Sequence, residues 1–171
     1  MINNLENNNK KRDCSFINKL IRRYNVPYII MKVNYPGTNK SNEITNSIIE
    51  NLDEIISDIF SPFIVFKSLR ITEEGPVVTF VLDKDPMEIK KTTVEIEDKH
   101  ILGDCVNIDV YDSDMNKITR EVMGYPPRKC FICEKAVNKC MKENAHSKDR
   151  IIQYVVGKYR EYMENFHGKK V

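Results

Sequence analysis

At 171 residues the chain is of single-domain size, long enough to bury roughly two-thirds of its unfolded surface in one core. Its 27 Lys and Arg against 25 Asp and Glu leave a formal charge of +2, which makes no case for a nucleic-acid partner by bulk attraction and requires any bound anion to be held locally. The 41% hydrophobic and 30% charged composition is that of a soluble globular chain, and no apolar run approaches the ~20 residues that span a bilayer.

Met1 to Lys11 is Asn-rich and basic with no apolar stretch behind it, so it does not read as a secretory signal. Residues 1–9 are expected to be disordered, and a single domain to run from 10 to 171. A cytoplasmic, reducing location follows, in which the five cysteines read as thiols or metal ligands rather than disulfides.

From Lys10 to Tyr24, Phe16, Ile17, Leu20 and Ile21 recur at helical spacing, and Asn25-Val26-Pro27 closes the pattern. Tyr28 to Tyr35 is β-rich and ends at Pro36-Gly37, a strand followed by a loop. Ile44, Ile48, Leu52, Ile55, Ile56 and Ile59 then repeat every three or four residues, the clearest helix of the chain. Pro62 to Ile71 and Pro76 to Leu82, separated by Thr72-Glu73-Glu74-Gly75, predict a hairpin. Asp85-Pro86 opens another helix with Pro in its first turn. After Gly103, Cys105 to Tyr111 alternates as a strand, and the turn Asp112 to Asn116 leads to a second hairpin arm, Lys117 to Met123. Beyond Pro126-Pro127 two helices are expected, at about 131–145 and 148–165, broken near His146.

The fold class is therefore α+β: a single domain with a mixed or antiparallel sheet of about five strands, helices packed on it, and two C-terminal helices. The central β-α-β-β-α-β order fits a ferredoxin-like core, and nucleotidyltransferase-like sheets use related elements.

Three constellations bear chemistry. Asn34-Tyr35-Pro36-Gly37-Thr38-Asn39-Lys40 is a strand end opening into a glycine loop with a lysine, able to offer backbone N–H groups and a cation to phosphate, or to be only a turn. His100 through Gly103 to Asn107-Ile108-Asp109-Val110 puts positions 107 and 109 on one strand face, where a carboxylate can share Mg²⁺ with substrate phosphates. Asp112 and Asp114 read equally well as turn residues. Cys130, Cys133, Cys140 and His146 form C-x2-C-x6-C-x5-H, a donor set for tetrahedral Zn²⁺ or a group of buried thiols. In a straight helix Cys133 and Cys140 would stand about 10 Å apart, too far to share an ion. The zinc reading therefore needs a bend between them.

In this order the three constellations resemble the family of apo-citrate lyase phosphoribosyl-dephospho-CoA transferases, the citrate lyase holo-acyl carrier protein synthases. The resemblance is carried by Pro36, Gly37 and Lys40; Gly75 and Pro76; Lys90; His100, Leu102, Gly103, Ile108, Asp109 and Val110; Arg120; and Arg128, Cys130, Cys133, Ala136, Cys140 and His146. It spans residues 26–147.

The resemblance implies an enzyme that takes 2′-(5″-triphosphoribosyl)-3′-dephospho-CoA, attaches its phosphoribosyl-dephospho-CoA part to a serine of the apo-citrate lyase acyl carrier protein, and releases diphosphate. We expect no nucleic-acid and no membrane partner. Such a reaction needs in-line attack on the α-phosphorus and cations on the departing diphosphate. We accordingly expect His100, Asp109 and Arg120 as catalytic residues, and Pro36, Gly37, Lys40, Lys90, Gly103 and Arg128 around the donor. Mg²⁺ is expected at Asp109, with Asn107 or Asp104 as a further ligand. Three positions depart from the family pattern: Asp104 stands where it has Arg, Asn107 where it has Asp, and Val77 where it has Glu. These departures imply an alternative, a catalytically weakened member that binds the carrier protein or a CoA nucleotide without transferring it.

Overall fold

The computed structural model describes residues 19, 21 and 23–167. The expected disordered segment 1–9 lies outside them, as does most of the expected helix 10–24. Of that helix, residues 19, 21, 23 and 24 are helical, and the Asn25 N–H donates to the Ile21 carbonyl at 2.7 Å.

The described elements are β1 (Tyr28–Val33), α1 (Glu43–Phe60), β2 (Ile64–Thr72), β3 (Gly75–Leu82), α2 (Pro86–Lys99), β4 (Val106–Tyr111), β5 (Lys117–Ile118), α3 (Val137–Glu143) and α4 (Lys148–His167). The strands form one sheet in the order β2-β3-β1-β4-β5, with every neighbouring pair antiparallel. The first four strands and α1 and α2 reproduce the split β-α-β arrangement of a ferredoxin-like core, with β5 added at one edge.

Local chemistry sets the helix starts. Asn42 caps α1 by accepting from the Thr45 N–H at 3.1 Å, while the Thr45 hydroxyl accepts from the Asn42 N–H at 2.9 Å, a reciprocal capping box. Asp85 caps α2 by accepting from the Met87 and Glu88 N–H groups, with Pro86 in the first turn.

The sheet has two unlike faces. Ile29, Met31 and Val33 of β1, with Val78 and Phe80 of β3 and Ile108 and Val110 of β4, meet Ile48, Leu52 and Ile56 of α1, Ile89 of α2 and Val155 of α4 in the main core. The opposite face carries a smaller cluster around Ile21, Tyr28 and Val81. Beyond it come Lys32, Asn107 and Asp109, which the β1–β4 register places side by side.

Two glycines allow close backbone approach. Gly75 (φ +89°) turns the β2–β3 hairpin against the loop before α1, and a Cβ there would lie 2.5 Å from the Lys40 carbonyl oxygen. A Cβ on Gly103 would lie 2.4 Å from the Ile96 carbonyl oxygen and 2.5 Å from that of Glu97, so only glycine lets this turn sit under the end of α2.

Two expectations need correction. The second hairpin arm is a strand only at Lys117–Ile118; a 3-10 turn at Glu121–Met123 replaces the rest, because Arg120 turns inward to an ion pair. The helix expected over 131–145 begins only at Val137. Before it the chain makes a small hairpin, with Lys129 bridged to Ala136, the Cys130 N–H donating to the Lys135 carbonyl at 2.7 Å, and Glu134 at φ 59°.

The short β5 leaves part of β4 without a strand neighbour, and side chains take its place. Glu97 Oε1 accepts from the Ile108 N–H at 3.0 Å, and Lys90 Nζ donates to the Ile108 carbonyl at 3.4 Å. Arg128 donates to the Val106 carbonyl at 2.7 Å and the Gly103 carbonyl at 2.8 Å. Glu97, only 5% exposed, also pairs with Arg120 at 2.8 Å and Arg128 at 3.2 Å. Removing one member of a buried, hydrogen-bonded charge group costs about 3–5 kcal/mol. Glu97→Ala is expected to lower the urea-unfolding free energy by about that amount, whereas Asp98→Ala, which removes the half-exposed partner of Arg120, should cost under about 1 kcal/mol. Equal effects of the two would contradict this.

Candidate functional site

Below the polar end of the second sheet face lies an open cleft of about 670 Å³. Its floor is Lys32 from β1 with Asn107 and Asp109 from β4. One rim is the loop after β1 with Lys40, and the other is the segment from Arg128 to Ile151. Of the residues expected from sequence, the cleft brings together Pro36, Lys40, Asn107, Asp109, Arg128, Cys130, Cys140 and His146.

Charge in the cleft is mostly arranged in pairs. Lys117 Nζ stands 2.7 Å from Asp109 Oδ1, and Lys40 Nζ stands 2.7 Å from Glu74 Oε2. Burial works against the Lys117 ammonium, but the hydrogen bond and charge of Asp109 offset it, so its pKa rises above the usual lysine value. Lys32 makes no ion pair among the described residues and lies opposite Asn107 in the register. It is the cation of this floor with its charge uncommitted.

Other expected residues lie elsewhere. Lys90 is buried under β4, where burial pulls its pKa down against the opposing charges of Glu97 and Asp109. Arg120, expected to be catalytic, is committed to Glu97 and Asp98. Arg128 reaches the cleft, yet both of its terminal nitrogens donate inward. His100, also expected to be catalytic, follows the end of α2. Its Nδ1 accepts from the Leu102 N–H at 3.2 Å, and its ring lies 5.7 Å from that of Tyr162. Gly103 and Gly37 act through the backbone, the first beneath α2 and the second at φ +100° in the loop before Lys40. Asp104 does not replace the acid missing at 107: its carboxylate accepts from the Tyr154 hydroxyl at 3.0 Å. Asp112 accepts from the Asp114 and Asn116 N–H groups, a turn role.

Asp109 is therefore the one carboxylate on the cleft face of β4. A Mg²⁺ held on this strand face would find one carboxylate from β4, Asp109, beside the Asn107 side chain. Mg²⁺ fits such a setting when substrate phosphates and water supply the remaining ligands.

At the far rim the four sulfur and nitrogen donors converge. Cys130 Sγ lies 3.3 Å from His146 Nε2, Cys133 Sγ lies 3.3 Å from Cys140 Sγ, and all four donor atoms fall within 4.8 Å of one another. The Lys135 N–H and the Cys140 thiol hold the Cys133 pKa below the usual thiol value, while sharing with Cys133 pushes Cys140 up to about 12.

The apo-citrate lyase phosphoribosyl-dephospho-CoA transferase (CitX) family model matches residues 3–162. The chain belongs to this transferase family. It is 25% identical over 146 residues to the probable apo-citrate lyase phosphoribosyl-dephospho-CoA transferase of Vibrio cholerae serotype O1, covering 83% of this chain and 82% of that protein. Against the apo-citrate lyase phosphoribosyl-dephospho-CoA transferase of Escherichia coli O1:K1 / APEC, identity is 25% over 129 residues, 74% of this chain and 70% of the relative. Protein CitXG of Leuconostoc mesenteroides subsp. cremoris is 28% identical over 120 residues, which are 68% of this chain and 26% of that longer protein.

Sequence reasoning missed Lys32, Lys117 and Glu97. Glu97 had a local signal: it lies seven residues after Lys90, on the stripe of α2 that also buries Ile89, Thr93 and Ile96. Lys32 and Lys117 become visible only through strand pairing.

Burial lowers the His100 pKa below 6.5, so on acidification the unfolded chain takes up this proton before the folded one does. The neutral ring's contribution is complete above pH ~6.5 and is lost as pH falls from there toward the folded-state value. In His100→Gln, the fall in unfolding free energy between pH 7 and 5 is expected to be shallower than in the parent. Parallel profiles by urea titration would refute it.

Proposed function

We propose that this chain transfers the phosphoribosyl-dephospho-CoA group from 2′-(5″-triphosphoribosyl)-3′-dephospho-CoA to a serine of the apo-citrate lyase acyl carrier protein, with release of diphosphate. The observation that carries this reading is the cation-rich floor around Asp109, in a cleft of about 670 Å³. That volume suits a nucleotide-sized ligand. Family membership supports this choice of substrates, and the cations of the cleft give a physical reason for it.

The bond that forms joins the serine oxygen to the α-phosphorus, and the one that breaks joins that phosphorus to the diphosphate. Lys32, with Lys40 and Lys117 beside it, neutralises the triphosphate and then the leaving diphosphate. In this reading Asp109 takes the serine proton or would hold Mg²⁺, which when bound supplies further positive charge to the diphosphate. Arg120 and Lys90 act in this reading as positioning residues, holding β4 and with it Asp109, while His100 braces the turn at Leu102 that leads into β4. The reading includes a cytoplasmic setting, where the apo carrier and the free thiols coexist.

One observation favours the weakened-member alternative. The cleft face of β4 carries the neutral Asn107 beside Asp109, so a metal held there meets one carboxylate rather than two.

The test mixes purified protein, the triphosphoribosyl donor, Mg²⁺ and apo carrier, and weighs the carrier by mass spectrometry. The expected result is a mass gain equal to the phosphoribosyl-dephospho-CoA group. Donor binding with no mass gain, beside an active family member, would leave the alternative standing. Asp109→Asn is expected to lower the rate by about 10²–10⁴-fold, and Lys32→Ala to lower kcat/KM by about 10–100-fold, the worth of one charged hydrogen bond to phosphate. Both variants should keep the parent melting temperature to within a few degrees.

A further inference from the structure

From Glu121 to Arg150 only two residues are buried, and both are cysteines: Cys130 and Cys140. Thirty residues with no apolar core of their own nevertheless form a hairpin, a helix and one wall of the cleft. The helix within them, α3, has seven residues, too short to stand on its own propensity. Small units of this kind are held by a disulfide or a metal rather than by apolar burial.

The local backbone is shaped around the four side chains. The Cys130-x-x-Cys133 turn is closed by the Glu134 N–H donating to the Cys130 carbonyl at 2.8 Å, with Glu134 in the left-handed region. The hairpin then passes into α3, which presents Cys140. Asn144 ends α3 at φ 46°, and the Ala145 N–H donates to the Cys140 carbonyl at 3.0 Å, which turns the chain back so that His146 meets Cys130. The bend the spacing required is thus present.

We infer that Cys130, Cys133, Cys140 and His146 bind one structural Zn²⁺, which is the core of the lobe from Tyr125 to Ser147 and fixes that wall of the cleft. In tetrahedral zinc with three thiolates and one imidazole, neighbouring donor atoms stand about 3.5–3.8 Å apart. Two of the present pairs are at 3.3 Å and all are within 4.8 Å, so binding needs only side-chain adjustment. Four protein donors leave no open position, so the ion is structural. The set is soft, which favours zinc over Mg²⁺ or Ca²⁺. This inference does not rest on the transferase reading, since its measurements need no substrate.

The experiment uses the full chain, purified under reducing conditions without chelator, with metal determined by mass spectrometry. About one zinc per chain is expected. Cys133→Ser and His146→Ala should lower the content at least fivefold, while Cys105→Ala, which alters a cysteine outside the cluster, should retain it. Cobalt in place of zinc should show thiolate-to-metal charge transfer and the intense visible bands of a tetrahedral site. After chelation, limited proteolysis should cut within 125–147 while the sheet domain persists. Zinc below about a tenth of an equivalent with no uptake on titration would overturn the inference. So would iron with a cluster absorbance, or a native mass short by the two hydrogens of a Cys133–Cys140 disulfide.

Discussion

The Glu97 carboxylate organises the half of the molecule that carries the candidate chemistry. It is buried at the end of α2, between two guanidinium groups and a backbone N–H. Each of these partners belongs to a different segment: Arg120 to the turn after β5, Arg128 to the approach to the Cys/His lobe, and Ile108 to the centre of β4. One desolvated charge therefore fixes three chain segments to one helix. The alternative for each partner is a buried polar group without a mate, which is costly. Asp109, one residue after Ile108, inherits its position from this network, and so does the lobe that Arg128 anchors.

That arrangement gives the family motifs a division of labour. Gly103, Lys90, Arg120 and most of the reach of Arg128 serve the edge of β4, while Lys32, Lys40, Asp109 and Lys117 face the cleft. Residues that would suit a polyanion by type are thus split between those that hold the strand and those exposed to ligand. Charge alone does not distinguish them; burial and existing partners do. Lys90 and Lys32 are both lysines near Asp109, but the first is sunk against a carbonyl and the second opens to the cleft.

Much of the fold was legible because local signals agreed with the tertiary outcome. The isoleucine stripe of α1, the Asp85-Pro86 start of α2 and the glycine turn between β2 and β3 each combine periodicity with a capping or turn residue. The failures share a cause. The strand expected to run to Met123 stops at Ile118 because Arg120 answers a charge 23 residues earlier in the sequence. The helix expected from 131 yields to a hairpin closed by the Lys129–Ala136 bridge, a pairing that local periodicity does not announce. In the site, Asp109 and the Cys/His set were legible from spacing. Lys32 was not, since nothing before strand pairing says which face of β1 meets Asn107.

The side-chain capping of β4 also bears on how this sheet can grow. Its β5 side is sealed: Ile108 has its N–H and carbonyl occupied by Glu97 and Lys90, and the Val106 carbonyl is taken by Arg128. An incoming strand would have to displace buried charge to pair there. At the opposite margin β2 is the terminal strand of the sheet, with Val65, Leu69 and Ile71 exposed along it. Strand addition is thus disfavoured at the margin that shapes the cleft.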